Sequence, residues 1–495
     1  MKNSIIKKLI VLVLSACFIF TAFGCSSNTN DVYVTSVTSS GSNALGENVF
    51  TVNYSDGSSD TFTVKNGMNG QNGQDLSIDE VYQKYCEEVE NISYAEFLAI
   101  YMGELSINTS EDLSRSIAKN LTSSLMLYAE FYETTTSTNP FTGKVTTSTA
   151  LGISSGSAVV YKITSDAVYV ITNYHVVFSP YADTSLDVNQ ISHKINGYFY
   201  GAEDDPVPTQ QKDEIGCTIN DYGNFAVSFE YVGGSIRHDI AMLKASKESV
   251  LKVSPKVSAV TFANDYNVGE TVVAIGDMES MGISATKGMV SIEKEQVSLA
   301  IDGTKRSYLV LRTDVAINHG NSGGGLFNAK GELVGITNGG HTNGTSSNDK
   351  DITTAINYAL PCDIIKEVAD NMYYYEMDGD LSTKGAYVPK LGITVIGGNP
   401  YYDYDESTGD GVCKEKIVVN EVTEGALADG KLLENDVLIS VVVDNKTFTL
   451  NRNFDIGTAL LAVRPNSTVV FNYERNSENG SWTQVFTSSM ISAVE

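Results

Sequence analysis

Three side chains in this sequence are of the types that nucleophilic catalysis by serine requires. Ser322 lies in the segment GNSGGG, His175 follows the apolar run AVYVIT, and Asp239 directly precedes the apolar residues IAML. An imidazole can accept the hydroxyl proton, and a carboxylate can fix the tautomer of that imidazole. The sequence therefore predicts an acyl-transfer site made of His175, Asp239 and Ser322.

The glycines around Ser322 predict a tight turn that exposes the hydroxyl group. Glycine adopts backbone conformations that other residues reach only at a cost. In such a turn the backbone N–H groups of Gly320 and Ser322, with Asn321 between them, would point into one small concavity. That is the geometry of an oxyanion hole, so we predict one at Gly320, Asn321 and Ser322.

Two other interpretations of the glycine cluster fit the sequence less well. A phosphate-binding loop needs a Lys-Ser or Lys-Thr pair after its glycines, and none follows here. The G-x-S-x-G motif of α/β-hydrolases is matched literally, but in that fold the catalytic partners follow the serine. Here His175 and Asp239 precede Ser322, which is the order of the chymotrypsin type.

The elements that must position these residues are mostly β-strands. From about residue 128 to residue 361, short runs rich in Val, Ile, Thr and Tyr alternate with turn residues, a texture that predicts barrels or sandwiches. The segment CDIIKEVADNMYYYEM predicts a helix after this region, and the last hundred residues predict a further compact β unit. Near the N-terminus, NVFTVNYSDGSSDTFTVKNG predicts a β-hairpin, and the segment after it predicts amphipathic helices that form a stalk.

The segments that carry these residues resemble those of a known family. TNYHVV, HDIAMLK and TDVAINHGNSGGGLFNAKGELVGI are similar to the HtrA/Deg serine proteases, a branch of the chymotrypsin-like fold. The resemblance extends in order over roughly residues 156–368. It implies a mainly β fold with a chymotrypsin-like double β-barrel, and a serine endopeptidase that cleaves unfolded or damaged proteins and forms homotrimers in many family members.

The resemblance also implies which residues line the substrate pocket, and the sequence differs from the family at two positions near Ser322. Ile336, Thr337 and Ala359 match the positions that line the pocket, and their small or aliphatic side chains favour a small apolar substrate residue. His319 and Gly325 stand where the family usually has proline, which predicts a looser and switchable serine loop. An acidic insertion at about residues 200–215 is longer than usual for the family.

The C-terminal unit resembles a PDZ domain of the HtrA type. KLGITVIGG begins it, and the resemblance implies that Leu391, Gly392 and Ile393 hold the carboxylate of a bound C-terminal peptide. The peptide would then add to the sheet as an edge strand.

The N-terminus predicts export and membrane attachment. A basic start precedes an apolar stretch that is shorter than a membrane-spanning helix needs. The residues before Cys25 resemble a bacterial lipoprotein signal, which implies cleavage before Cys25 and lipid attachment to its thiol. Cys17 fits the letters of the motif better, but cleavage there would leave an apolar segment on the mature chain. An uncleaved anchor would also place the rest of the chain outside the cytoplasm.

Composition excludes several other functions. The formal net charge of -27 argues against nucleic acid and anionic membrane surfaces as partners. The six cysteines include no CxxC pair, and the five histidines form no HExxH motif. We therefore predict neither a disulfide framework nor a metal or other cofactor.

Together these features predict an extracytoplasmic, membrane-anchored serine endopeptidase with five segments. The boundaries are a signal peptide at 1–24, a tether and hairpin at 25–75, a helical stalk at 76–118, a trypsin-like domain at 119–376 and a PDZ-like domain at 386–495. The alternative is a catalytically silent surface lipoprotein that binds peptides or acts as a chaperone through its PDZ-like domain.

Overall fold

The structure is a computed structural model of a chain that divides into two compact units, Met1–Leu105 and Ser106–Glu495. The residues that the structure describes are 34–42, 48–55, 57–64, 109–202, 208–212, 218–300, 304–342, 352–378, 385–404 and 411–493.

Several predicted features lie outside the described residues. These are the signal peptide, the lipidation site Cys25, the part of the stalk at 76–108, and residues 203–207 and 213–217 of the acidic insertion. Within the described residues, no helix is both long enough and apolar enough to cross a membrane.

The described part of the first unit is a three-stranded antiparallel sheet. Its strands are β1 (Val34–Ser42), β2 (Asn48–Tyr54) and β3 (Ser59–Val64). β2 and β3 pair from Asn48↔Val64 to Asn53↔Ser59, which confirms the predicted hairpin. Gly57 lies in its turn with φ of +86°, a conformation that glycine adopts without steric cost.

The second unit begins with helix α1 (Thr109–Leu121), which packs on the β-barrels that follow. Leu113, Ile117 and Leu121 recur at helical spacing and contact the core between the barrels. The side-chain amide of Asn120 donates to the Gly331 carbonyl at 3.1 Å. Residues 109–118, which the sequence assigns to the stalk, therefore lie against the β-barrels.

The first β-barrel is a closed ring of antiparallel strands in the order β10-β11-β6-β5-β4-β7. Its members are β4 (Ser124–Thr138), β5 (Val145–Ile163), β6 (Ala167–Thr172), β7 (Lys194–Phe199), β10 (Val227–Ser235) and β11 (Ile240–Ser246). The short helices α2 (Tyr174–Val177) and α3 (Lys247–Val253) and the hairpin of β8 (Thr209–Lys212) and β9 (Thr218–Asp221) lie between them in sequence. The IAML run of β11 is fully buried. Ala241 and Leu243 lie in the core of this barrel, and Ile240 and Met242 lie in the core between the two barrels, as expected for a strand covered on both faces.

The second β-barrel follows directly. Its strands are β12 (Thr261–Phe262), β13 (Thr271–Asp277), β14 (Ile283–Ala300), β15 (Lys305–Thr313), β16 (Gly325–Asn328), β17 (Glu332–Thr342) and β18 (Ile352–Pro361). They pair in the order β12-β17-β16-β13-β14-β15-β18, and a further pairing of β17 with β18 closes the ring. The prediction of a mainly β fold with two barrels is therefore confirmed.

Helix α4 (Cys362–Asp378) follows the second barrel, as the sequence predicts. Ile365, Val368 and Met372 are buried in the core shared by the two barrels. The helix also carries the contacts to the C-terminal unit, since the side-chain amide of Asn371 donates to the carbonyls of Tyr387 and Leu461, each at 2.8 Å.

The C-terminal unit is a β-sheet with one short helix. Its elements are β19 (Tyr387–Pro389), β20 (Ile393–Tyr404), β21 (Gly411–Val422), β22 (Val437–Val443), β23 (Lys446–Thr449), helix α5 (Asp455–Leu461), β24 (Thr468–Arg475), β25 (Glu478–Val485) and β26 (Ile491–Ala493). The main sheet runs β20-β21-β22-β24-β25, with β23 paired to β22 and a separate pair of β19 with β26. β20 is an edge strand of this sheet in the described part of the chain.

Candidate active site

His175 lies where β6 ends, in the short helix α2, and its ring contacts Asp239. Nδ1 of His175 is 2.8 Å from Oδ2 of Asp239, and the backbone N–H of His175 donates to Oδ1 at 3.0 Å. Because Nδ1 donates to the carboxylate, Nε2 is the nitrogen that can accept a proton. The structure therefore brings the predicted imidazole and carboxylate together in the arrangement that a general base requires.

Asp239 is fully buried between β10 and β11. A buried carboxylate is stable only if it is hydrogen-bonded, and Nδ2 of Asn338 supplies a third donor to it at 2.6 Å. The backbone of Asp239 has φ of +52°, which costs an aspartate about 1–3 kcal/mol. The donated hydrogen bonds, including one from Asn173 Nδ2 to the Asp239 carbonyl, offset that strain and fix the direction of the carboxylate.

The pKa of His175 is set by two opposing effects. Burial of the ring lowers the pKa, but the charge of the Asp239 carboxylate and its hydrogen bond raise it by more, so the pKa lies above its ordinary value of 6.5. The His175 side chain keeps 28% of its surface exposed. The imidazole is therefore a stronger base than a free histidine, with access to solvent.

Ser322 lies in the turn between β15 and β16, and glycines at two positions make that turn. Gly320 has φ of +90° and Gly323 has φ of +88°. A Cβ on Gly320 would lie 2.0 Å from the Asp277 carbonyl oxygen, and one on Gly323 would lie 2.0 Å from the Ser157 carbonyl oxygen. Both positions therefore require glycine, because of their dihedral angles and because of the space available.

The first barrel holds this turn through Ser157. The backbone N–H of Ser157 donates to the Ser322 carbonyl, and its hydroxyl donates to the Gly320 carbonyl, each at 2.7 Å. The same hydroxyl accepts from the backbone N–H of Asp277 at 2.8 Å. Ser157 is completely buried, so it joins β5, β13 and the serine turn at one point.

The Ser322 hydroxyl donates to the backbone carbonyl of Asn338 at 2.8 Å. Among the described residues, no hydrogen bond joins this hydroxyl to His175. Catalytic hydrogen bonds are often loose before substrate binds, and a rotation of the Ser322 side chain is needed to direct its proton to Nε2. Asn338 therefore contacts both partners, Asp239 through its side chain and Ser322 through its backbone.

The backbone around Gly320 leaves N–H groups available for an oxyanion. The His319 carbonyl accepts from the Glu279 N–H at 2.7 Å. In a trans peptide the following N–H points the opposite way, so the Gly320 N–H points away from Glu279. In the described part of the chain the N–H groups of Gly320 and Ser322 have no acceptor, whereas that of Asn321 donates to the Asn318 carbonyl at 3.2 Å.

The residues predicted to line the substrate pocket lie just behind the serine turn. Thr337 pairs with Ala359 across β17 and β18, and its hydroxyl donates to the carbonyls of Asn321 and Gly324. Ile336 and Ala359 are buried in the barrel cores. In this structure Thr337 supports the turn directly, and the contact of all three residues with substrate stays a prediction.

The predicted carboxylate loop of the C-terminal unit lies between β19 and β20. Gly392 has φ of +75°, and a Cβ there would lie 2.1 Å from Cβ of Ala426. The N–H groups of Leu391 and Gly392 have no acceptor in the described part of the chain, while the Gly392 carbonyl accepts from Thr423 at 2.8 Å. Free N–H groups beside a glycine in this conformation are suited to bind an anion.

Sequence reasoning missed Asn338 and Ser157. Asn338 follows the apolar run LVGI as a polar residue beside Thr337, and Ser157 follows Gly156 at the start of an apolar strand. A buried polar residue inside a strand is the signal that could have identified each, since such residues need hydrogen-bond partners.

Among the described residues, no group of three or more His, Cys, Asp or Glu side chains could hold a metal ion.

Comparison with known proteins adds independent findings. Residues 155–336 match a family model described as a trypsin-like peptidase domain. The chain is 26% identical over 418 residues to the serine protease Do-like HtrA of Lactococcus lactis subsp. cremoris, covering 81% of this chain and 88% of that protein.

Two further proteins are also similar to the chain. The chain is 31% identical over 216 residues to the serine endoprotease DegS of Escherichia coli, covering 43% of this chain and 54% of that protein. A solved HtrA-type protease, AlgW with decapeptide, is 21% identical with a TM-score of 0.43, covering 75% of this chain and 97% of that one.

Proposed function

Starting from a chain that is an HtrA/Deg-like serine endopeptidase, we propose that His175, Asp239 and Ser322 carry its reaction. The observation that supports this most directly is the contact of His175 with Asp239, in which the ring and the backbone N–H of one histidine donate to one buried carboxylate. Asn338 then links that carboxylate to Ser322.

The proposed reaction begins when the Ser322 hydroxyl rotates from the Asn338 carbonyl to Nε2 of His175. Oγ attacks the peptide carbonyl carbon as Nε2 takes its proton, and the N–H groups of Gly320 and Ser322 stabilise the oxyanion. The imidazolium, held by Asp239, gives the proton to the leaving amine. Water, activated by the same imidazole, then hydrolyses the acyl-enzyme and regenerates Ser322.

Labelling with a fluorophosphonate probe tests this assignment. We expect the probe to modify the wild-type protein and Ser165→Ala, a variant at an exposed serine, but not Ser322→Ala. The Ser322→Ala variant should also lose hydrolysis of casein. Full activity in that variant would remove Ser322 from the mechanism.

We propose unfolded or damaged proteins as substrates, in protein quality control. The relatives are named as serine proteases of the HtrA and DegS types, and the resemblance of the sequence to the HtrA/Deg family supports this substrate class. Reduced, carboxymethylated lactalbumin should be cleaved at least tenfold faster than the native protein. Equal rates on the two forms would contradict the proposal. The alternative, a silent peptide-binding lipoprotein, is less favoured because the imidazole–carboxylate contact is intact.

We further propose that the C-terminal unit is PDZ-like and that Leu391, Gly392 and Ile393 bind a peptide carboxylate. The free N–H groups of this loop and the edge position of β20 support it. Gly392→Ala should abolish binding of C-terminal peptides, because the new Cβ would meet Ala426.

Membrane attachment through a lipid on Cys25 is also a proposal, which the lipoprotein-like signal supports. The wild-type protein should partition into detergent phase, and Cys25→Ser should not. The matched control is Cys413→Ser, at an exposed cysteine, which should partition as the wild type does.

A further inference from the structure

A groove lies between the peptidase domain, taken as residues 119–376, and the C-terminal unit, residues 386–495. Its main cavity, of about 590 Å³, is bounded on one side by apolar residues of the C-terminal unit, including Leu391, Ile393 and Leu460. The other side is bounded by Arg237 and His238 of the peptidase domain. An adjoining cavity of about 350 Å³ shares Arg237 and His238 and reaches further along helix α5. The groove is therefore built from both parts of the chain.

The charges that line the groove are unusual for this protein. The chain has 60 acidic residues and 33 basic ones, yet neither cavity is lined by an aspartate or a glutamate. The charged residues in the lining are Arg237 and Lys390. His238 adds no charge near neutral pH, since burial and the neighbouring Arg237 lower its pKa to about 3. The groove therefore favours an anionic ligand.

Arg237 is available for such a ligand. Its side chain is exposed, and it forms no hydrogen bond or ion pair with any residue in the described part of the chain. His238, beside it, is held by a 2.8 Å hydrogen bond between its Nδ1 and the Ser235 hydroxyl. A guanidinium group binds carboxylates through two parallel N–H donors, so its chemistry matches the charge that the groove favours.

The two sides of the groove are fixed relative to each other. At one end of α5, Asn371 donates to the Leu461 carbonyl at 2.8 Å. At the other end, Nζ of Lys294 lies 3.5 Å from Oδ1 of Asp455. Both donors belong to the peptidase domain, so helix α5 cannot leave that domain without breaking these contacts.

The backbone of the groove identifies the kind of anion. β20 has a free edge in the described sheet, and the loop before it offers the N–H groups of Leu391 and Gly392. An extended polypeptide can pair with such an edge, and its terminal carboxylate can bind such a loop. The apolar lining suits an apolar last residue. These features select a polypeptide C-terminus rather than an inorganic anion.

We propose that Arg237, a residue of the peptidase domain, binds the terminal carboxylate of the polypeptide that occupies this groove. This rests on the proposed PDZ-like function and adds a residue from outside the C-terminal unit. Because Arg237 is two residues before Asp239 in the chain, the ligand contacts the same segment that carries the catalytic carboxylate.

Peptide binding tests this inference without any need for catalysis. In a Ser322→Ala background, fluorescence anisotropy would be measured with three labelled decapeptides that end in Val, Leu or Phe. Each is used with a free carboxylate and as the C-terminal amide. Arg237→Gln should weaken binding of the best carboxylate peptide about tenfold or more. The same substitution should leave the weaker binding of its amide unchanged.

The matched control is Arg115→Gln, which removes the same charge from an exposed position on α1 and should bind as the parent does. If the parent prefers the carboxylate peptides and Arg237→Gln binds them equally well, the inference is wrong while the PDZ-like function stands. If the parent binds none of the peptides, or binds acid and amide alike, both are overturned.

Discussion

The side-chain amide of Asn338 lies 2.6 Å from the buried carboxylate of Asp239. The backbone carbonyl of the same asparagine accepts the hydroxyl proton of Ser322. One residue of β17 thus contacts the carboxylate and the nucleophile of the proposed triad.

Asn338→Ala should lower kcat about tenfold, with a smaller effect on KM. A hydrogen bond to a charged group contributes about 1.5–3 kcal/mol, and without it the carboxylate is less firmly held. The acid limb of the pH profile should move to higher pH, because the less stabilised carboxylate holds the His175 proton more strongly. Asn338→Ser should recover part of the rate, and Asn420→Ala, at an exposed asparagine, should match the wild type. An unshifted pH profile would reduce Asn338 to a structural role.

The activity should depend on a proton with a pKa above 6.5. The general base must be neutral, and the Asp239 carboxylate outweighs burial and raises the pKa of His175. Activity should therefore fall as the pH decreases through that raised pKa. A plot of kcat/KM against pH, together with NMR titration of the His175 ring in Ser322→Ala, would measure it. A midpoint below pH 6 in both experiments would contradict the assignment.

The raised pKa of His175 also makes the free energy of unfolding depend on pH. The folded chain binds the His175 proton more tightly than the unfolded chain does. The tighter binding of this proton stabilises the folded chain. That stabilisation is fully present below about pH 6.5, the pKa of histidine in the unfolded chain. It is lost as the pH rises through the higher folded pKa.

Gly323→Ala should destabilise the protein by at least about 2 kcal/mol and abolish fluorophosphonate labelling. The added Cβ would lie 2.0 Å from the Ser157 carbonyl and 2.3 Å from the Thr172 hydroxyl, at a φ of +88°. Gly339→Ala is the matched control, since no atom lies within 4 Å of the added carbon there. Thermal unfolding would compare the two variants, and equal melting temperatures would count against the described turn.

Asn371→Ala should destabilise the C-terminal unit by about 2–4 kcal/mol. Asn371 is completely buried, and its side chain donates to Tyr387 and Leu461 and accepts from the Tyr387 N–H, so its loss leaves buried groups unpaired. Trp482 is the one tryptophan of the sequence and lies in the core of that unit, so its fluorescence reports urea unfolding there. Asn420→Ala serves again as control. An unchanged Trp482 transition would show that the contact contributes nothing.

Local signals were enough to predict the glycine turn, the hairpin and the strand-rich domain. The turn around Ser322 depends on residues within a few positions of each other, and β2 and β3 pair across a short turn. The contact of His175 with Asp239 was predicted from residue types and from the family resemblance, because no signal in the sequence near either residue indicates that β6 and β11 lie together.

The remaining features depend on packing between distant segments. Asn338 meets Asp239 only because β17 of the second barrel lies against the turn between β10 and β11 of the first. α1 looked like part of a stalk because its amphipathic pattern does not specify which surface covers its apolar face. Arg237 faces the C-terminal groove only because that unit packs on α4. Tertiary packing determines these three contacts, and the spacing of residues along the chain does not predict them.

Ser157 makes the shape of the nucleophile depend on both barrels. It belongs to the first barrel, yet it supplies two of the hydrogen bonds that hold the serine turn of the second barrel. Neither barrel can therefore shape the nucleophile alone. Loss of structure in the first barrel removes these two hydrogen bonds from the serine turn, even while the second barrel stays folded. Cleavage activity therefore reports on the folding of both barrels at once.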